Sequence, residues 1–250
     1  SNKMWGTLVI IFASLELITS QLSSSPYFLE QCPRNEDIVN SCLKKSGNKL
    51  IKYLRDGIPE LDIIEVEPVL IDEISISLGS GPDGYRAIFR NIEAYGVSNL
   101  TITHIRSDID TLQFQLTCDI PKIRVKAQYR STGVLILVRA SGAGDYWGNY
   151  EGVKAKIYFR VTTQNRPNDY TYLTVEEIKM DFSVKEIAMG VENIANGNSI
   201  IQAALNLFIN SNSQELLKEM KPALRSKLTE VTKNFLDRLF RKIPLEHWIN

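Results

Sequence analysis

Histidine and cysteine are scarce in this 250-residue chain: two histidines, His104 and His247, and three cysteines. That is too few for a disulfide-dense scaffold, and it leaves little from which to build a metal centre or a histidine-based catalytic group. Neither histidine has a neighbouring Cys, Asp or Glu in a catalytic arrangement, and both read as exposed strand or tail residues. The motifs GxSxG, HExxH and GxxxxGK[ST] are absent. Charge of one sign is not in excess, with 29 Lys+Arg against 29 Asp+Glu. A dedicated nucleic-acid binder would show a basic footprint, so that class is set aside, as is one with a strongly acidic surface. No segment past the N-terminus is apolar for 18 residues, as a membrane-spanning helix requires. What is present is ordinary: 44% apolar and 23% charged residues exclude disorder and collagen-like repeats. The length allows one or two domains. Composition describes a folded protein with no sign of an enzyme.

The N-terminus reads as a leader. Met4 is the expected initiator, with Ser1, Asn2 and Lys3 upstream of it, and residues 5–15 form an uncharged, mostly apolar run ending at Glu16. This is too short to span a bilayer and suits the apolar part of a signal peptide. Cleavage is expected after Ser20, with the serines at 23–25 as a later alternative. The expected organisation is a signal peptide over 1–20 and one domain over 21–250. Removing Lys3 and Glu16 together leaves the remainder neutral. In a secreted chain, Cys32 and Cys42 are expected to pair, closing a short loop worth about 3 kcal/mol in the chain-entropy account. Cys118, in a strand pattern, reads as a buried free thiol, with an intermolecular disulfide as the alternative.

The patterning runs helix, strands, helix. Val39, Cys42/Leu43, Leu50 and Leu54 recur at helical spacing over 37–56, and Gly57 ends the helix. Strand alternation extends from Ile71 to about Val191, in Ile74, Ile76 and Leu78, in Leu112, Phe114, Leu116, Cys118 and Ile120, and in Val153, Ala155, Ile157 and Phe159. Turn signals fall at 79–84, 142–148 and 165–169. The run from His104 to Tyr129 is broken only by Pro121. Strands of this length imply a strongly curled sheet. Beyond Asn196 and Gly197 the chain is helical again, with Asn212 and Glu215 forming a capping box. Leu217, Met220, Leu224, Leu228, Val231, Phe235 and Leu239 then make a stripe about 40 Å long, which Pro222 should kink. The fold class is α+β.

The glycines at 79, 81 and 84 match GxGxxG, but a strand pattern follows where a dinucleotide site needs a helix, so this is a hairpin turn. Asn99-Leu100-Thr101 is a glycosylation sequon in a secreted chain. Residues 214–242 carry eight basic and four acidic side chains. This helix either covers the sheet with its apolar stripe or lies on a membrane surface. Apolar strand faces could be solid core or could line a cavity.

Several segments together resemble the takeout / juvenile-hormone-binding-protein family of secreted insect proteins. They are the Cys32/Cys42 pair; Gly57-Ile58-Pro59-Glu60-Leu61 with Glu67-Pro68; Gly133-Val134-Leu135 with Gly142-Ala143-Gly144; Asn193 with Asn196-Gly197-Asn198; Asn206-Leu207-Phe208-Ile209-Asn210; and Pro222 with Ile243-Pro244. Ala195, Gln202 and Ser213 depart from the common residues, and no cysteines remain for the second disulfide of the hormone-binding branch, so the resemblance is takeout-like.

The resemblance implies a tubular lipid-binding fold, a long curled antiparallel sheet wrapped around a long C-terminal helix with an apolar tunnel between them. It implies reversible carriage of a hydrophobic small molecule, such as a terpenoid, fatty acid or related lipid, by a secreted, monomeric protein. No catalysis, cofactor, nucleic acid or stable membrane insertion is called for. The alternative is a membrane-acting lipid-transfer or host-defence protein of the same architecture. From alternation, the expected tunnel residues are Ile74, Ile76, Leu112, Phe114, Leu116 and Val134 on strands and Leu224, Leu228 and Phe235 on the helix, with Tyr129 as a polar handle.

Overall fold

A computed structural model of the chain describes residues 26–63, 66–79, 81–82, 84–135, 138–139, 141–167, 170–193 and 199–250. The expected leader, Ala195 and Asn196-Gly197-Asn198 lie outside them. The order is helix α1 (Glu36–Asp56), strands β1 (Val69–Leu78), β2 (Tyr85–Tyr95), β3 (Thr101–Asp108) and β4 (Gln113–Thr132), a small hairpin of β5 (Val134–Leu135) and β6 (Val138–Arg139), strands β7 (Gly142–Asn165), β8 (Thr171–Ser183) and β9 (Glu186–Glu192), then helices α2 (Ser199–Ser211) and α3 (Ser213–Lys242).

Helix α1 begins where the Asn35 side chain accepts the Asp37 N–H, and it ends at Gly57, whose φ of 85° suits glycine. Its buried face carries Val39, Leu43, Leu50 and Leu54. The fully buried Ser46 hydroxyl donates to the Glu30 carbonyl and accepts the Glu30 N–H, tying the N-terminal segment to the helix. That segment is pinned twice more. Cys32 is disulfide-bonded to Cys42, and Cys32 exchanges backbone hydrogen bonds with Trp248 and Asn250.

All the longer strands belong to one antiparallel sheet built on β4 and β7, of 20 and 24 residues. β4 pairs with β7 along one edge; its other edge is shared by β3 (over 113–119) and β2 (over 124–132). β7 likewise shares its outer edge between β8 and β9. The two halves meet along a line through Pro121 of β4, Gly152 of β7 (φ 60°) and Lys185 between β8 and β9. Proline has no N–H for the ladder, and a Cβ on Gly152 would strike the Lys185 Cβ at 2.8 Å. Across this crease the inward-facing set changes parity, from Phe114, Leu116, Cys118 and Ile120 to Ile123, Val125 and Ala127 on β4.

Three expectations need correction. The run from His104 to Tyr129 is two strands. Asp108 Oδ1 accepts the N–H groups of Asp110 and Thr111, and Leu112 takes a φ of 52°, turning the chain between β3 and β4. Pro121 instead stays inside β4. Residues 142–148 are no turn but the start of β7. The glycines there serve close approach: a Cβ on Gly144 would meet the Glu192 carbonyl oxygen at 2.3 Å. The expected capping box does not form, because the Asn212 side chain donates back to the Phe208 carbonyl at the end of α2.

Helix α3 runs unbroken through Pro222 for 30 residues, about 45 Å, and packs against β8, β1 and β9. Among the described residues no helix is long and apolar enough to cross a membrane.

Candidate functional site: an apolar cavity between sheet and helix

The sheet curls around α3 without filling the space, leaving a cavity of about 1090 Å³. All seven residues of the helical stripe, Leu217 through Leu239, border it. Across from them stand inward residues of β1, β4 and β7, with Leu50, Ile51 and Leu54 of α1 near one end. That end is aromatic: Phe114 stacks on Phe159 at 5.2 Å, and Phe240 bridges from Phe159 to Trp248. The Trp248 indole N–H is buried with no hydrogen-bond partner among the described residues.

Of the expected binding residues, Ile74, Ile76, Phe114, Leu116, Leu224, Leu228 and Phe235 border the cavity. Three do not. Leu112 sits in the β3–β4 turn and packs with the Phe159 cluster. Tyr129 is buried beyond the cavity, opposite Phe89 in the ladder. Val134 lies in the small hairpin, bridged to Gly84.

The polar handle missed in the sequence is a pair, Tyr146 and Tyr150, both bordering the cavity. Their hydroxyls hydrogen-bond to each other, and Tyr146 also donates to Met189 Sδ at 3.4 Å. Phe89 meets the Tyr146 ring edge-on at 5.0 Å. Burial pushes the Tyr146 phenol well above its ordinary range, with Tyr150 alongside adding to it, and burial raises Tyr150 as well. Both are neutral hydrogen-bonding groups at physiological pH. Gly148 between them makes the pairing possible, since a Cβ there would stand 2.7–2.9 Å from atoms of both side chains. The available signal was the Tyr-x-Gly-x-Tyr spacing, which puts all three on one face of a strand, but it lay in a segment read as a turn.

Other groups at the cavity offer little chemistry. Burial, with Asp119 adding to it, pushes the Cys118 thiol up to about 12, so it is no nucleophile. Neither His104 nor His247 borders the cavity. No cluster of metal-ligating residues occurs among the described residues. Exposed Leu70 and Asp72 of β1 face Glu230 and Arg238 of α3 along one side. There Lys227 pairs with Glu230, and Lys242 with Asp62. The basic side chains of α3 are thus partly committed at the rim, while its apolar stripe is turned inward.

A sequence profile described as "Haemolymph juvenile hormone binding protein (JHBP)" matches residues 7–250. The chain belongs to this family. It is 20% identical over 230 residues to circadian clock-controlled protein daywake of Drosophila melanogaster, covering 89% of this chain and 87% of that one. The Drosophila yakuba protein of the same name is 20% identical over 252 residues, covering 98% and 95%. Takeout 1 of Epiphyas postvittana has a similar crystal structure, with a TM-score of 0.76 and 16% identity over 88% of this chain and all of that one. The fold is therefore the takeout type of tubular lipid-binding fold, α+β, with a curled antiparallel sheet about a long C-terminal helix. Within the family match, Asn206 and Asn210 have a visible task. From one face of α2 their amides bond both backbone groups of Val191 and of Met189, covering the edge of β9.

Proposed function

We propose that this protein is a secreted, monomeric carrier that reversibly holds a hydrophobic small molecule, such as a terpenoid, fatty acid or related lipid, in the cavity between sheet and α3. One observation carries the reading: a cavity of about 1090 Å³ walled by the apolar stripe of the longest helix. A void of that size lined by Leu, Ile and Phe forfeits packing that a solid core would supply, and an apolar ligand restores it. Burial of its surface contributes roughly 25 cal/mol per Å². The Tyr146–Tyr150 pair is the polar contact that orients the ligand, as a few polar groups do in otherwise apolar sites. No chemical step is required of any residue.

Secretion fits the Cys32–Cys42 disulfide and the expected leader over residues 1–20. Asn99, exposed at the turn between β2 and β3, is the proposed glycan site. The membrane-acting alternative needs α3 to present an apolar face outward, whereas its stripe borders the cavity, so that reading stands second.

The test is to purify the protein from its native source, extract it with organic solvent, and weigh the intact protein by native mass spectrometry. An apolar compound released in near-stoichiometric amount is the expected result. A chain without bound lipid that also fails to take up any apolar probe would overturn the carrier reading.

A further inference from the structure

The tyrosine pair has a direction. A phenol has one proton to donate. Tyr146 gives its proton to Met189 Sδ, so the hydrogen bond between the two hydroxyls takes the proton of Tyr150. Both protons are then spent away from the cavity. What Tyr150, a wall residue, offers to the contents is oxygen lone pairs. The next hydroxyl along, Tyr85, is engaged with Ser131.

Met189 is held firmly in this role. Asn210 accepts its N–H at 3.0 Å and donates to its carbonyl at 2.7 Å. Asn206 does the same for Val191, at 2.8 and 2.9 Å. Four residues of helix advance about 6 Å and two of strand about 6.6 Å, so the two clamps fit the same edge. Gly190 lets them close, since a Cβ there would lie 2.9 Å from the Trp147 ring and 3.0 Å from Asn206 Oδ1. The Met189 side chain is 4% exposed, packed between α2 and the cavity end.

We propose that Met189 sets the polarity of this hydroxyl relay, so that the cavity selects an apolar molecule ending in a hydrogen-bond donor, an alcohol, over the matching ketone or aldehyde. This rests on the carrier reading above. An alcohol donates to Tyr150, Tyr150 to Tyr146 and Tyr146 to Met189, so every proton finds an acceptor. A ketone only accepts. To serve it, Tyr150 must turn its proton to the cavity, Tyr146 must donate to Tyr150, and the sulfur loses its bond. Thioether sulfur is a weak acceptor, so the preference is modest, about threefold to tenfold.

The experiment measures displacement of N-phenyl-1-naphthylamine from the intact protein by 1-tetradecanol, 2-tetradecanone and tetradecane. The wild type is expected to bind the alcohol several-fold more tightly than the ketone. Met189→Leu keeps the volume and removes the acceptor. It should erase or invert that ratio while leaving tetradecane and the dye unchanged, which also shows that the variant folds. Tyr146→Phe should act in the same direction, and Tyr150→Phe should make alcohol and ketone equal. A ketone bound as tightly as the alcohol by the wild type, or an unchanged ratio in Met189→Leu, would overturn the proposal. If all three compounds displace the dye equally, the carrier reading stands and the relay does not. If none displaces it, the carrier reading itself falls, and the relay with it.

Discussion

The two ends of the cavity are fastened by the same device and otherwise built in opposite ways. At the α1 end, Asn48 bonds both backbone groups of Ile102 on β3; at the α2 end, Asn206 and Asn210 do so on β9. In each case a helix covers a sheet edge through side-chain amides. But α1 contributes its own residues to the cavity wall and is locked by the Cys32–Cys42 disulfide, while no residue of α2 borders the cavity and no covalent link holds it. The α1 end is aromatic and offers no paired hydroxyls; the α2 end carries the Tyr146–Tyr150–Met189 chain. One end is therefore built for rigidity and bulk, the other for orientation.

Four changes would break or sharpen this contrast, in falling order of expected effect. Replacing Cys32 and Cys42 by serine should cost about 3 kcal/mol in denaturant unfolding, and hydrogen exchange should rise in α1 while β9 stays protected. Gly148→Ala should cost about 1–3 kcal/mol by overpacking, with the loss felt at the tyrosine end, where its methyl must part the two phenols. Asn48→Ala and Asn210→Ala each strand a backbone N–H and carbonyl and should cost about 1–2 kcal/mol. The disulfide should mask the exchange increase beside Asn48 and leave it visible in β9. Trp248→Phe should fall within about 1 kcal/mol of wild type, because it removes an N–H that has no partner.

Alkaline pH provides a fifth measurement. The Tyr146, Tyr150 and Cys118 pKa values lie above their unfolded values in the native state. Their contribution is therefore fully present below the unfolded values and is lost as pH rises. For Cys118 the loss runs from the model-peptide value of 9.0 to about 12. Unfolding free energy should fall over that window, and less steeply in Cys118→Ala. For the tyrosines the fall begins near pH 10, and Tyr146→Phe should shallow it.

Much of the architecture was legible because periodicity is a local property. The spacing of Leu217 to Leu239 named a helix face, and all seven residues border the cavity. The alternation at Ile74 and Ile76, and at Phe114 and Leu116, named the inward faces of β1 and β4. What was not legible depends on partners distant in the chain. The glycines at 142–148 look like a turn until Glu192 and the tyrosine rings are seen crowding them. The β3–β4 turn has no glycine or proline, only the Asp108 side chain capping two N–H groups. Leu112 keeps the parity of Phe114 yet lies in that turn, and Tyr129 faces inward beyond the end of the cavity. Asn212 carried the letter pattern of a cap, but a second helix ends one residue earlier and takes its amide.

The crease through Pro121, Gly152 and Lys185 has one more consequence. A sheet whose ladder is interrupted in three adjacent strands along one line bends most easily about that line, as a hinge does. The register on either side is the same, so bending there breaks no pairing. Cargo of different girth is then accommodated by the angle between two rigid plates, with neither plate repacked. Spin labels on β2 and β8 would read that angle directly, as a distance that grows with the width of the molecule inside.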